Sequence, residues 1–271
     1  MGLLNSFKEA FLYFFRGKED LVFSPLAAFS ALHLIILFAF IIVVVLISRG
    51  DLGLNKDNNR QKLSHIFAAM LLLDQIILYT WQFSSGFFNV ELSLPLYHCR
   101  IAIALLIVGV LFNQKNILYT GMYWGFLGSI MAMLVPDMYK FQFPHYTNFQ
   151  FFYNHIIMGL LIINLLKSKE IQITAKDTKS VLIITNVYNL LLFIFNLIMS
   201  HFWGLTEINY GYMNSFPKIV PIKFDVFLHF IVINLLFNMV MLLIGYVFQI
   251  LSKNKSDTLA DTLEQDIIGE I

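Results

Sequence analysis

The residues best placed to do chemistry in this chain form the triplet His98-Cys99-Arg100, which holds its only cysteine. Pro95 suits the first turn of a helix, and this would place Cys99 near the positive end of a helix dipole, beside the Arg100 guanidinium. Both effects favour the nucleophilic thiolate. With a histidine as base, such a cysteine can accept an acyl group as a thioester and pass it to an acceptor. A lone cysteine in an apolar helix is also a common packing residue, so the triplet alone leaves both interpretations open.

The chain around the triplet has the composition of a membrane protein. Of its 271 residues, 58% are hydrophobic and 13% are charged, and its mean hydropathy is +0.73. About a quarter of the residues of a soluble domain are charged, and a helix needs roughly 20 apolar residues to cross a hydrocarbon core. We therefore predict an all-α, polytopic membrane protein, a bundle of seven transmembrane helices. The predicted spans are 26–48, 65–83, 95–112, 117–135, 149–166, 181–199 and 227–251.

The two ends of the chain fall outside these spans. We predict that residues 1–25 form an amphipathic segment in the membrane interface, that 26–251 form the transmembrane domain, and that the acidic tail 252–271 is flexible. Eleven basic residues fall on the side of the C-terminus and six on the opposite side. Because cytoplasmic loops carry the excess of positive charge, we expect a multi-pass protein of a bacterial plasma membrane, with its N-terminus outside and its C-terminus inside.

This threading gathers the histidines on the outer side of the membrane. Six of the seven share that side with Cys99, namely His33, His98, His145, His155, His201 and His229. One interfacial histidine alone is usually just solvated, but here six scattered positions come together only after folding. Asp137 is expected on the same side of the membrane as His145, where a carboxylate can orient an imidazole.

Polar residues also occur inside the spans. Asp74 falls in the middle of the second span, where a charge costs about 2.5 to 3.5 kcal/mol and is expected to face the interior of the bundle as a structural group. The sixth span carries one polar stripe, formed by Asn186, Asn189, Asn196 and Ser200, and for its asparagines we predict interhelical hydrogen bonds.

Five short stretches, in order and at their separations, carry a family resemblance: FSALHL, LPLYHC, YWGFLGSIMAMLVPD, FFYNH and NYGYM. They resemble the YwaF-like integral membrane proteins of bacteria, a family grouped with eukaryotic TMEM-type acyltransferases that remodel ether phospholipids. The resemblance covers nearly all seven spans. It implies a cysteine that carries the acyl group and a histidine that assists it, which correspond here to Cys99 and His155.

The chain departs from those patterns around the cysteine. Eukaryotic members have a histidine directly after it, where this chain has Arg100, and bacterial members tend to have one two residues before it, where this chain has Tyr97. His98 is displaced by one residue, about 100° around a helix, so His155 is the better candidate for the base and His98 the second. Six residues on the predicted outer side are candidates for binding a lipid headgroup, namely Arg100, Asp137, His145, Asn209, Tyr210 and His33. For Asn209 and Tyr210, in the NYGYM loop, an ordinary aromatic belt is the alternative.

The sequence leaves three functions open. The first is an integral membrane acyltransferase or transacylase that acts on phospholipid or lipoprotein acyl chains through a Cys-His pair, without a cofactor or metal. The second is a metal-dependent lipid hydrolase, since several imidazoles on one side of the membrane can bind zinc. Against it, no two histidines stand at the i, i+4 spacing by which one helix supplies two ligands. The third is a non-enzymatic transporter or receptor. The net charge of +1 argues against a nucleic-acid partner and leaves a membrane phospholipid or another lipid-linked substrate. The oligomeric state does not follow from the sequence.

Overall fold

The computed structural model describes residues 2–17, 28–50, 56–216 and 220–269, without the side chains of residues 2–4 and 253–269. The regular structure of these residues is helical. The helices are α1 (Gly2–Phe14), α2 (Ala31–Arg49), α3 (Asp57–Ser84), α4 (His98–Leu111), α5 (Lys115–Leu134), α6 (Tyr146–Leu166), α7 (Ala175–Trp203) and α8 (Val226–Gly269), with a 3₁₀ turn at Tyr210–Tyr212 before α8.

Six of these helices, α2, α3 and α5 to α8, are long and apolar enough to cross a membrane, which confirms the prediction of a polytopic helical membrane protein. The remaining predicted span is shorter. Helix α4 has 14 residues, about 21 Å at 1.5 Å per residue, against a hydrocarbon core of about 30 Å. It begins at His98 rather than near Pro95, so the expectation that Pro95 lies in its first turn was wrong, and Cys99 is its second residue.

Successive helices from α2 onward run in opposite directions, so their loops collect at two ends of the bundle. At one end, which we call the rim, Gln82 near the end of α3 donates to the Tyr139 hydroxyl in the loop before α6 at 2.9 Å. At the other, which we call the far end, the Lys169 backbone N–H donates to Asp57 at 3.1 Å. Helices α2, α4, α6 and α8 begin at the rim, and α3, α5 and α7 begin at the far end.

Glycines allow α4, α5 and α6 to pack closely in the core. A Cβ at Gly121 would lie 3.0 Å from Leu105 Cβ, and one at Gly125 would lie 3.0 Å from Ile162 Cδ1. Small residues at such positions let helix backbones approach, which is how helices associate in lipid. Helices α2 and α8 lie at the periphery and carry exposed apolar side chains, such as Phe38 and Leu243.

The segment after α1 docks onto the rim. Arg16 donates to the carbonyls of Gln142 and Pro144 in the loop before α6, and Trp81 Nε1 donates to the Phe15 carbonyl at 3.2 Å. The interfacial role predicted for residues 1–25 stays a prediction, and residues 18–25 lie outside the described residues. The predicted flexibility of the acidic tail 252–271 also stays a prediction, and residues 270–271 lie outside the described residues.

Candidate functional site

Cys99 is held in the first turn of α4, against a glycine of α5. Tyr97 is the N-cap of this helix, in an extended conformation. A Cβ added at Gly128 would lie 2.9 Å from Cys99 Cβ and 3.6 Å from Cε of Met158 on α6. The cysteine therefore occupies a space that exists because residue 128 has no side chain.

The guanidinium of Arg100 is fixed beside the cysteine by neutral groups. Nη1 donates to the carbonyls of Leu92 at 2.8 Å and Leu94 at 3.3 Å, and Nη2 donates to the Tyr139 hydroxyl at 2.6 Å. The guanidinium carbon lies 5.8 Å from the centre of the Tyr97 ring. Among the described residues, no carboxylate forms an ion pair with Arg100, so its charge is available to an anionic ligand.

His155, on α6, is held in a defined tautomer. Its Nδ1 lies 2.7 Å from the Phe151 carbonyl oxygen, and because a carbonyl only accepts, Nδ1 carries the proton and Nε2 keeps its lone pair. The side chain is buried, and its ring packs on the Phe151 ring with centroids 4.7 Å apart. This is the tautomer that a general base needs.

Helix α5 contacts both residues that the sequence suggested for catalysis. Gly128 contacts Cys99, and the hydroxyl of the next residue, Ser129, donates to the His155 carbonyl at 3.0 Å. Arg100 lies within electrostatic range of both Cys99 and His155. In the described part of the chain, no hydrogen bond joins the thiol to the imidazole.

His98 belongs to a different environment, although it precedes Cys99 directly. Its Nε2 lies 2.8 Å from Oδ1 of Asn189 on α7, and its ring lies 5.1 Å from Trp124 and 4.7 Å from Phe237. Asn189 also donates to Asn234 on α8 at 2.7 Å. His98 is therefore part of the asparagine network between α7 and α8, and the hydrogen bonds predicted from the asparagine stripe are present.

Two further histidines of the rim are bonded within the protein. His33 accepts from the Phe29 backbone N–H at 2.8 Å and contacts the Met133 carbonyl at 2.9 Å. His145 is the N-cap of α6 and accepts from the Thr147 backbone N–H at 3.2 Å, while its Nε2 contacts the Arg16 carbonyl at 3.1 Å. Burial lowers the pKa of His145 to about 4, so this imidazole is neutral at physiological pH.

The loop residues Asn209 and Tyr210 are also engaged internally. Asn209 Nδ2 donates to the Ser215 carbonyl at 2.9 Å, and the buried Tyr210 hydroxyl donates to the Val90 carbonyl at 2.7 Å. Burial raises the pKa of Tyr210 above its ordinary value, so its hydroxyl remains a neutral donor. The Tyr210 contact joins the NYGYM loop to the turns before α4, and the Asn209 contact is local to the loop.

Asp137 is exposed at the rim and accepts from the Tyr212 hydroxyl at 3.1 Å. The His229 imidazole contacts the Tyr212 carbonyl at 2.8 Å. Among the described residues, no hydrogen bond joins Asp137 to His145, the pair that the sequence suggested. Nor does any group of three or more His, Cys, Asp or Glu side chains within the described ranges lie close enough together to hold a metal ion.

Sequence reasoning missed three residues that shape this site: Gly128, Ser129 and Tyr139. Gly121, Gly125 and Gly128 recur at the small-residue spacing of close helix contacts, so Gly128 had a readable signal. Tyr139 lies in a loop with several aromatic residues, and nothing in the sequence distinguishes it as the partner of Arg100.

The fold defines a polytopic helical membrane protein, in which Cys99 and Arg100 begin α4 and His155 lies in the rim half of α6. The model of the TMEM164 family matches residues 28–249, which is most of the chain. The chain therefore belongs to the TMEM164 family. No curated protein and no solved structure matches it.

Proposed function

We propose that this protein is an integral membrane acyltransferase or transacylase, with Cys99 as nucleophile and His155 as general base. The observation that carries the proposal is the fixed tautomer of His155. The Phe151 carbonyl accepts from Nδ1, and the free Nε2 belongs to a buried imidazole. The backbone carbonyl of His155 accepts from Ser129, which follows the glycine that contacts Cys99. The resemblance to YwaF-like proteins and their acyltransferase relatives supports the same assignment.

The proposed reaction has two half-reactions that share one proton carrier. His155 Nε2 takes the proton of the Cys99 thiol, and the thiolate attacks an ester carbonyl of the donor lipid. The ester C–O bond breaks, the leaving alkoxide takes the proton from His155, and a thioester remains on Cys99. His155 then deprotonates the acceptor hydroxyl or amine, which attacks the thioester. The C–S bond breaks, and the thiolate recovers the proton.

The substrates that fit this chemistry are phospholipid or lipoprotein acyl chains. Arg100 has a guanidinium without a carboxylate partner among the described residues and lies next to the proposed nucleophile. A phosphodiester is a suitable ligand for such a guanidinium. Asp137, exposed at the rim, provides a negative charge for a basic headgroup. We propose that these two residues orient the lipid with its ester above Cys99.

The test is acyl labelling of purified protein from a phospholipid that carries a radioactive fatty acid. Because Cys99 is the only cysteine, hydroxylamine-sensitive label reports on this residue alone. Cys99→Ser should lose the label completely, and His155→Gln should slow labelling by about 10²- to 10⁴-fold, the usual contribution of a general base. His201→Gln, at an exposed histidine of the same rim, is the matched control and should label normally.

Two outcomes would contradict the proposal. One is a Cys99→Ser protein that restores the lipid composition of a strain lacking the gene, measured by comparative lipidomics. The other is a His155→Gln protein with an unchanged melting temperature that acquires label at the parent rate. The first outcome would favour a non-enzymatic transporter or receptor, and the second would require another base.

A further inference from the structure

A cleft lies between α7 and α8 near the far end of the bundle, at the opposite end from Cys99. It encloses about 290 Å³, close to the lower limit of small-molecule sites, about 300 Å³. Its walls include Thr178, Lys179, Leu182, Leu242, Tyr246 and Gln249. Leu242 and Tyr246 are 54% and 65% exposed, so the cleft opens on the outer surface of the bundle, which faces lipid.

The lining of this cleft changes from polar to apolar along the bundle axis. On α7, which begins at the far end, Lys179 lies nearer that end than Leu182. On α8, which runs toward the far end, Gln249 lies nearer it than Leu242, by about 10 Å at 1.5 Å per residue. Tyr246 stands between these two, and tyrosine is enriched at the level of lipid headgroups. The cleft therefore matches a molecule whose polar end lies at the far end and whose apolar end lies deeper in the membrane.

Hydrogen bonds between helices fix the polar end of the cleft. Gln249 Nε2 donates to Thr178 Oγ1 at 3.0 Å, and the Tyr123 hydroxyl of α5 lies 2.8 Å from the same oxygen. Gly245 lets α8 approach this point closely, since a Cβ there would lie 2.5 Å from Thr178 Cγ2. These contacts set the separation of α7 and α8 beside the cleft.

Lys179 brings a positive charge to the cleft that no described residue neutralises. The side chain is exposed, and among the described residues no carboxylate lies within ion-pair distance of it. Asp177, the nearest acidic residue in the sequence, is engaged at the start of α7, where its Oδ2 accepts from the Thr174 hydroxyl at 2.6 Å. Asp74, the buried carboxylate of α3, is likewise engaged and accepts from Gln150 at 2.9 Å. The charge of Lys179 is therefore available to an anionic ligand.

We propose that this cleft binds one anionic glycerophospholipid, with its phosphate against Lys179 and an acyl chain along Leu182 and Leu242. Basic pockets between membrane helices bind anionic headgroups in this way. A free anion would contact the lysine but leave the apolar half of the cleft empty, whereas a phospholipid fills both halves. This lipid bridges α7 and α8 and is distinct from the substrate proposed for the rim, so the inference does not rest on the acyltransferase proposal.

The test measures lipid binding to the full-length protein in detergent, in a Cys99→Ser background so that acyl transfer consumes no lipid. Dioleoyl phosphatidylglycerol and dioleoyl phosphatidylcholine are titrated separately, and bound lipid is measured by native mass spectrometry. The anionic lipid should bind more tightly. Lys179→Gln should reduce the ratio of the two affinities by about fivefold, the equivalent of about 1 kcal/mol for one lysine at a lipid surface. Lys179→Arg keeps the charge and should keep the ratio.

Lys115→Gln is the matched control, because Lys115 is an exposed lysine at the same end of the bundle, on α5, and its replacement should leave the ratio unchanged. Phosphatidylglycerol with a diazirine in one acyl chain should crosslink to peptides within 175–182 and 242–249. Equal affinities for the two lipids, an unchanged ratio in Lys179→Gln, or crosslinks confined to other helices would overturn the proposal. Displacement of the anionic lipid by inorganic phosphate at constant ionic strength would also overturn it, by identifying a site for a free anion.

Discussion

At the scale of single residues, the reactivity proposed for Cys99 depends on how its neighbours are held. Gly128 leaves the space that the cysteine occupies, and the Phe151 carbonyl fixes the His155 ring. The Tyr139 hydroxyl and two backbone carbonyls fix Arg100. Each of these contacts positions a reactive group without taking part in the reaction, so a change in any of them should alter the rate more than the fold.

Gly128→Ala tests this dependence. The new methyl group would lie 2.9 Å from Cys99 Cβ, so the cysteine must shift, at a cost of about 1 to 3 kcal/mol for overpacking. A displaced nucleophile should lower the rate of acyl labelling by about 10- to 100-fold. The measurement is the labelling rate beside the melting temperature. Ile130→Ala, at an exposed position of the same helix, is the control, and a Gly128→Ala protein that labels at the parent rate would show that Cys99 is not confined there.

At the scale of elements, the rim is built from the beginnings of helices. Helix α6 is capped by His145, whose ring accepts from the Thr147 backbone N–H. The His145 backbone N–H in turn donates to Asn148 Oδ1 at 3.1 Å. The same imidazole contacts the Arg16 carbonyl and stacks on Phe141 with centroids 3.8 Å apart. One neutral histidine therefore joins α6 to the segment after α1, and protonation would disrupt both its acceptor role and its burial.

Stability should accordingly depend on pH through His145. Burial lowers the pKa of this group in the folded protein to about 4, from 6.5. As the pH falls between these two values, the unfolded chain takes up a proton that the folded protein does not, so the stability contributed by this group declines across that interval. His145→Asn keeps a good N-cap and removes the titration, so its melting temperature should fall less between pH 7 and pH 4. His201→Asn should follow the parent curve, and equal slopes for His145→Asn and the parent would refute the assignment.

At the scale of the whole molecule, the alternating helices separate two chemically different ends. The rim holds the proposed reactive residues and their hydrogen bonds, whereas the far end carries most of the basic residues. This difference in charge predicts how the protein is oriented in the membrane, because loops with an excess of lysine and arginine are retained on the cytoplasmic side. We propose that the rim faces outward and the far end faces the cytoplasm.

Labelling with an impermeant thiol reagent tests that orientation in intact cells. In a Cys99→Ser background, single cysteines at the exposed rim positions Ser84 and Thr206 should react from outside. Cysteines at the exposed far-end positions Lys56 and Lys176 should react only after the membrane is permeabilised. The reverse pattern would place the proposed site on the cytoplasmic side and require a cytoplasmic acyl donor.

The sequence by itself determined the class of fold and the collection of histidines at one end. Lipid offers no partner to backbone N–H and C=O groups, so apolar runs of this length form helices, and alternate threading then assigns each loop to an end. These arguments need only length and composition. The short α4 and its start at His98 depend on turns packed at the rim, which composition does not encode.

Only the tertiary structure decided which neighbours each of these histidines has. His98 is adjacent in sequence yet bonds to Asn189 on α7, because neighbouring residues of a helix differ by about 100° in direction. His155 lies far along the chain, yet its backbone carbonyl accepts from Ser129, the residue after the glycine that contacts Cys99. The rotation of each helix about its axis is set by packing against its neighbours, through glycine contacts and interhelical hydrogen bonds. When a helix is hydrophobic on every side, its sequence does not indicate which side faces the neighbouring helices.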